Sequence, residues 1–519
     1  MPKVFPRNVV IPLTFEARDG NATPTLARWN FVKLPELKMA TKRVLDASAF
    51  DPRGGWLAKH NFPRKLVTNE VVMRWRLEGG RSSDALVEPD SPIIIHIDPA
   101  TPERWQRWVA AGIESWQPAF EAAGYRRAVR AVMPTSADVF DYDDVRKSVL
   151  CWKSKKRGCD GFVFDPRTGE VLQYHVSGQD YALKGYLARY IVALAAVDRR
   201  AFETPLSDAF LGALIQSVAS HETGHLLGLR DGDFGVFTYT SAQLRDRTWV
   251  TTNGISPSIM NYARFNFLAQ PEDAMPANLL LPKPGPADLF WIRWGYGNDA
   301  PGVIEQIWDS SSLYRYRMDD GTLGPYKVTE TPGVSDPVSG AQLGMRNLER
   351  SMAMLERHVF REQDPEIAGL LDARSLYDAA LEQWYEMHLQ VLSLVGGRLM
   401  DASEKNSSEG VDPDTGMNRI PSGQEIDPEK QKEAVIFLCN SFFSNTPEFL
   451  LHGAIVQAAG LDQKAAEALV EKRREAVFQE LAGSMRLNQM IHLSGELKSP
   501  KDPYDVMHLM RDLQSCVVR

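Results

Sequence analysis

No stretch of this sequence approaches the roughly 18 consecutive apolar residues that a membrane-spanning helix requires. Its opening, MPKVFPRNVVIPLTF, lacks the basic segment and apolar run of a secretory leader. The expectation is a soluble chain with no membrane partner, cytoplasmic if complete and secreted or periplasmic if it is part of a longer protein. Cysteine is scarce: four residues among 519, none in a Cys-x-x-Cys pair, which excludes a disulfide-dense scaffold and a dithiol or zinc-knuckle motif. Cys151 and Cys159 flank WKSKKRG; free thiols are the expectation there, and pairing in an oxidising compartment is the alternative. Basic charge is not in excess either. With 59 Lys and Arg against 67 Asp and Glu the net charge is -8, which offers nucleic acid no electrostatic footprint.

What the chain does have is length, enough for several domains or for a large enzyme with an appended module. Residues 1–90 read as β-rich: NVVIPLTFEA and EVVMRWRLEG are β-branched and aromatic between Gly, Pro and Asp clusters. SPIIIHID follows as a buried strand. Then the period changes. Trp105, Trp108, Val109, Ile113, Trp116 and Phe120 recur at three and four, the face of a helix packed on a sheet. Thr101 is the expected N-cap, with Pro102 at the first helical position, Gly124 at the stop and Pro118 kinking the last turn. DGFVFDPRTGEVLQYHVSG reads as a hairpin about an Asp-Pro-x-x-Gly turn. A second helical pattern runs from about Leu206 to Gly228. Beyond Pro282 the chain is mostly helical, clearest in LGMRNLERSMAMLERHVF, SLYDAALEQWYEMHLQVLSLVGG, DPEKQKEAVIFLCNSFF and DQKAAEALVEKRREAVFQELAGSM, while the polar stretch from Asp401 to Lys430 reads as a loop or linker. The expected fold class is α+β, in three parts: a β-rich segment 1–90, a catalytic domain 91–300 and a mostly helical region 301–519.

The second helical pattern carries ASHETGHLLGLRDGDFG, beginning at Ala219. His221 and His225 are four apart, so on a helix both imidazoles project from one face and reach one cation. Glu222 is then placed to take a proton from a metal-activated water and to return it to a leaving amine. Gly228 stands where the helix must stop for the chain to turn back, because glycine takes the left-handed conformation without strain. That turn delivers Asp231 to a third coordination position, with Asp233 as the competing candidate. A carboxylate oxygen binds zinc at about the same distance as an imidazole nitrogen. Further along, SPSIMNYARF puts Met260 in the position of a Met-turn.

With these motifs in place, the sequence resembles the metzincins. Within that clan it is similar to the bacterial zinc-dependent metalloproteases that have a Met-zincin domain flanked by domains of unknown function. The resemblance rests on IHIDPATPERWQRWVAAGIESWQPAFEAAGY, FDPRTGEVL, HETGHLLGLR, SIMNYARFNFLAQPED, DLFWIRWGYG, QWYEMHLQVLSLVGG and KQKEAVIFL, in the family's order and over most of the chain. It implies a twisted mixed sheet, a backing helix, an active-site helix and a Met-turn, with His221 and His225 as zinc ligands, Glu222 as catalytic base and Met260 as the hydrophobic floor under the metal. The family normally has a histidine where this chain has Asp231, whereas metzincins resembling the snapalysin group use an aspartate there. Tyr262 matches a tyrosine that binds the metal or donates to the oxyanion in astacin-like and serralysin-like enzymes; an ordinary core tyrosine is the equal alternative. EVLQYHVSG resembles the edge strand on which metzincins lay an extended substrate. His175 within it is expected in the core or at the rim and not as a ligand.

The expected function is Zn2+-dependent hydrolysis of peptide bonds in a peptide or protein substrate, with no oligomeric state fixed by the pattern. Two alternatives stay open: a specialised zinc amide hydrolase or biosynthetic tailoring enzyme acting on one small peptide-like substrate, and an inactive binding protein. Glu222 argues against the last, because a purely structural metal site has no use for a general base.

Overall fold

The computed structural model describes residues 1–15, 25–42, 72–78, 86–135, 140–152, 159, 161–177, 179–203, 205–235, 238–261, 263–299, 302–311, 316–317, 334–358, 371–400, 423–445, 447–484, 486–488, 490–491 and 504–517. The chain divides into two compact units, Met1–Ala182 with Ile215–Arg230 and Leu289–Ala300, and Leu183–Leu214 with Asp231–Asp288 and Pro301–Arg519. No described helix is long and apolar enough to cross a membrane.

In the first unit β1 (Lys3–Val4), β2 (Asn8–Phe15) and β3 (Thr25–Val32) form an antiparallel sheet in that order. NVVIPLTF pairs with TLARWNFV from Asn8 opposite Val32 to Phe15 opposite Thr25. EVVMRWRLEG does not extend a sheet as its composition suggests. Its described part makes an isolated bridge from Arg74 to Glu170, and Arg76 reaches both oxygens of Glu170 at 2.9 and 2.5 Å, so its polar side chains clamp a turn where a strand would build a ladder.

A mixed sheet follows, built from β4 (Ile93–Ile97), β5 (Val129–Val132), β6 (Ser148–Cys151), β7 (Phe162–Phe164) and β8 (Val171–Ser177) in the order β5-β4-β6-β8-β7. β4 runs parallel to β5 and β6, β6 parallel to β8, and β7 antiparallel to β8. Parallel neighbours need a crossover. Between β4 and β5 it is supplied by α1 (Glu103–Glu114) and α2 (Gln117–Ala122), which bury Trp105, Val109, Ile113, Trp116 and Phe120. Two features depart from expectation. α1 starts at Glu103 with Pro102 as its N-cap and no side-chain cap, one residue later than expected; Thr101 lies in the preceding turn, its N–H bonded to the Asp98 carbonyl at 2.8 Å. Pro118 divides the helix instead of kinking its last turn: it has no N–H for the carbonyl of Glu114, where its ring would clash, and α1 ends at that residue.

The hairpin expected around Asp165 is β7–β8, and it corrects the position of the sheet edge. β8, the strand of EVLQYHVSG, lies between β6 and β7 and is paired on both sides. The turn at Asp165 folds Phe162–Phe164 back onto it, so β7 is the terminal strand among the described residues and β8 has no open side. His175 is buried in this sheet, and its Nε2–H donates to the Tyr142 carbonyl at 3.0 Å. Cys151 and Cys159 form a disulfide, as do Cys439 and Cys516, which corrects the expectation of free thiols. The end of β6 buries Cys151 with Cys159 and Val149 against Phe140 and Tyr142, with Cα atoms 6.2 Å apart, inside the bridging range.

Helices dominate the rest: α3 (Gln179–Leu194), α4 (Asp208–Leu226), α5 (Ser241–Arg245), α6 (Arg247–Asn253), α7 (Pro286–Tyr296), α8 (Val303–Ser310), α9 (Pro337–His358), α10 (Ala373–Leu392), α11 (Pro428–Leu438), α12 (Gln463–Leu481) and α13 (Val506–Val517). The four rear segments read as helical are α9 to α12. Asp372, Asp427 and Asp462 cap three of them by accepting the N–H groups of Ser375, Glu429 and Ala465. α10 is buried on nearly every side; within it Glu386 meets Arg189 at 3.3 Å, and His388 donates from Nδ1 to the Trp384 carbonyl at 2.7 Å. Burial holds His388 down at about 4, so it is neutral at pH 7. Residues 401–422, most of the expected linker, lie outside the described residues.

α1 meets α4 at Gly112, where an added Cβ would lie 2.6 Å from the Ala219 Cβ and 2.6 Å from the Gln216 carbonyl oxygen. Gly112→Leu should therefore lower stability by about 1–3 kcal/mol through overpacking. Gly185→Ala, in α3 with nothing within 4 Å of the new methyl, should raise it by roughly 0.5–1 kcal/mol. Urea midpoints of both variants check the pair; a tolerated Gly112→Leu would contradict the close packing of α1 on α4.

Candidate metal centre

α4 buries Phe210, Leu211, Leu214, Ile215 and Ala219, so it is an interior helix whose terminal carbonyls must find donors inside the protein. Gly228 supplies the stop, at φ +99°. The Leu229 N–H bonds the Gly224 carbonyl at 3.0 Å and the Gly228 N–H bonds the His225 carbonyl at 2.9 Å, the paired bonds of a Schellman ending. The next two carbonyls are satisfied from elsewhere in the same unit. Leu226 accepts from the Trp75 indole N–H at 2.7 Å and Leu227 from the Tyr296 hydroxyl at 3.1 Å. Burial pushes the Tyr296 phenol up, which keeps it a protonated donor. On the backing side the Trp116 indole donates to the Ser220 carbonyl at 2.8 Å and the Ser115 and Ser220 hydroxyls meet at 2.6 Å, which fixes the residue just before His221.

His221 and His225 stand on one face with ring centroids 5.0 Å apart. The turn at Gly228 returns the Leu229 carbonyl to His225, whose Nδ1–H donates to it at 3.0 Å. That bond selects the tautomer with its lone pair on Nε2, the form a metal takes. Three residues past Gly228 comes Asp231, and one ligand atom from each of His221, His225 and Asp231 lies within 4.8 Å of the other two. Two imidazoles and a carboxylate on one short stretch form a donor set that fits zinc and leaves a fourth position open. Glu222 is half-buried beside His221. Asp233 opens the short strand Asp233–Phe234, and its side chain lies outside the described residues.

A second group, Asp98 with Cys151 and Cys159, is equally close. Its sulfurs are joined to each other, and the Asp98 carboxylate accepts from the Tyr142 hydroxyl at 2.6 Å, the Ala100 N–H at 2.9 Å and the Trp152 N–H at 3.1 Å. That cluster is structural.

Met260 is fully buried in a tight turn. Its N–H donates to the Ser258 hydroxyl oxygen at 2.9 Å, and its carbonyl accepts the N–H of Gly232 at 3.2 Å. The buried carboxylate of Asp288 accepts from the Ser258 hydroxyl at 2.5 Å, the Ile259 N–H at 2.8 Å and the Gly285 N–H at 2.7 Å. Tyr262 lies outside the described residues.

Among protein-family models, the one described as Met-zincin matches residues 203–519, more than half of the chain. The chain belongs to the Met-zincin family. Searches of the curated proteins and of the solved structures found no match. The Met-zincin match opens just before α4, so it takes in His221, Glu222, His225, Asp231 and Met260. Membership points to a zinc-dependent metallopeptidase, and the mixed sheet with its many helices is the α+β fold expected for one.

In this Met-zincin chain the sequence reading singled out neither Trp75 and Tyr296, which cap the metal helix, nor Asp288 and Gly285. The only local sign of Asp288 is a carboxylate in the first turn of a helix after Gly-Pro, a common arrangement. Tyr296→Phe deletes one of the capping donors without changing shape. It should lower the urea midpoint by the equivalent of about 1–3 kcal/mol, the usual cost of a buried acceptor left unpaired. An unchanged midpoint would show that the helix end does not depend on this bond.

Proposed function

We propose that the protein is a zinc-dependent peptidase that hydrolyses peptide bonds in a peptide or protein substrate, with His221, His225 and Asp231 holding the metal and Glu222 as general base. The observation that carries the reading is the convergence of the three ligand atoms within the single stretch 221–231, which also contains Glu222. Family membership is its second support.

When bound, zinc supplies a Lewis acid and lowers the pKa of water toward neutrality. The chain's own residues do the rest. The Glu222 carboxylate would accept a proton from the attacking water as the new C–O bond forms and then deliver it to the amine nitrogen as the peptide C–N bond breaks, so the proton taken in the first step leaves with the amine in the second. His225, locked by the Leu229 carbonyl, presents Nε2 without a rotamer search. Two neutral imidazoles and one carboxylate cancel half of the ion's charge, so the site is less positive than one with three histidines. Met260 would form the apolar floor under a bound metal, and the Tyr262 hydroxyl would support the oxyanion.

Glu222→Gln should keep its zinc and lose about 10²-fold or more in turnover, the ordinary scale for a general base. A peptide-library digest with and without chelator supplies the rate. A near wild-type rate in this variant would refute the mechanism, and a library left uncut by the wild-type enzyme would favour the specialised amide hydrolase. Asp231→Ala should lower zinc affinity by at least the 10–100-fold that even outer-shell losses cause, while Asp231→His should restore it. Zinc retained by Asp231→Ala but lost by Asp233→Ala would move the third ligand to Asp233.

A further inference from the structure

A continuous hydrogen-bonded path runs from the buried start of α7 to the residue beside the proposed third ligand. Asp288, only 1% exposed, gathers the Ser258 hydroxyl and the N–H groups of Ile259 and Gly285 on its two carboxylate oxygens. The Ser258 oxygen in turn accepts the Met260 N–H at 2.9 Å, and the Met260 carbonyl accepts the Gly232 N–H at 3.2 Å. Gly232 follows Asp231 directly. The turn is also held from its other side. A Cβ on Gly285 would lie 2.4 Å from the Pro257 carbonyl oxygen and 2.7 Å from that of Ser256, so the chain entering α7 packs backbone to backbone against the turn, closer than any residue but glycine allows.

Burying a carboxylate is costly unless donors surround it. An asparagine of the same shape could take the Ile259 and Gly285 N–H groups on its oxygen, but its amide N–H would then face the Ser258 hydroxyl, which would have to accept where it now donates. The charge thus serves a place where three donors converge and no neutral side chain accepts them all. We propose that Asp288 is the positioning residue for the metal site: through Ser258 and the Met260 backbone it sets the position of Gly232, and with it the carboxylate of Asp231. Asp288 is not itself a ligand and does not touch substrate. The inference rests on the reading of Asp231 as a ligand.

The test is the zinc affinity of the full-length chain, measured by competition with a chromogenic chelator, in a double-mutant cycle of Asp231→Ala and Asp288→Ala. Asp288→Ala alone should weaken zinc by about 10–100-fold, the range for residues that orient a metal ligand, and Ser258→Ala should weaken it less but in the same direction. In the Asp231→Ala background Asp288→Ala should cause no further loss, because the group it positions is gone. Asn347→Ala, which removes donors to the Phe267 and Ala269 carbonyls in the same unit, should destabilise the fold without changing zinc affinity. Should Asp288→Ala fail to fold, Ser258→Ala carries the cycle, since it deletes only a hydroxyl. The proposal is overturned if Asp288→Ala and Ser258→Ala bind zinc as the wild type does while Asp231→Ala does not, or if the two losses simply add. If Asp231→Ala itself binds zinc normally, the ligand assignment fails first and this inference falls with it.

Discussion

Helix α4 has to end within a turn of His225, in a water-poor interior, and its last four carbonyls have to be satisfied there. The rest of the site depends on that ending. A helix continuing past Leu226 would carry the chain away from the imidazoles. A frayed one would leave the Gly224 to Leu227 carbonyls unpaired, at about 1–3 kcal/mol for each buried group without a partner. The left-handed Gly228 closes two of the four bonds locally, and Trp75 and Tyr296 close the other two from distant parts of the chain. The same turn carries the Leu229 carbonyl back to His225. Ending the helix and choosing the imidazole tautomer are therefore one structural event.

The return of the chain beyond Gly228 gives aspartate an opportunity that a longer side chain would not need. A carboxylate on a single methylene has little reach, so its backbone must be placed accurately. The bond from Gly232 to the Met260 carbonyl joins that backbone to a turn organised by one buried carboxylate. The architecture therefore concentrates precision in backbone contacts around the site, at Gly112 against α4 and at Gly285 against the turn.

Much of this was legible locally. The three-and-four spacing of Trp105 to Phe120, the strand IIIHI and the H-E-x-x-H face follow from side-chain periodicity, and Gly228 announces its own conformation because few other residues adopt it. What was not legible arises from pairings across the chain. EVLQYHVSG has the composition of an edge or an interior strand alike, and only the hairpin that folds Phe162–Phe164 onto it decides between them. For Cys151 and Cys159 the sequence left pairing open as the alternative to free thiols, and only their burial together at the end of β6 decides it. Trp75 and Tyr296 look like ordinary core aromatics, since an indole or phenol carries no record of which carbonyl it will meet.

In the proposed centre two imidazoles and the Asp231 carboxylate hold one zinc ion and leave one position open. X-ray absorption at the zinc edge of the zinc-loaded protein reads that donor set directly. Two imidazole nitrogens with oxygen ligands completing the shell, all at about 2.0–2.2 Å, and loss of one oxygen in Asp231→Ala, is the predicted result. A third imidazole, a sulfur ligand, or a spectrum unchanged by Asp231→Ala would contradict it.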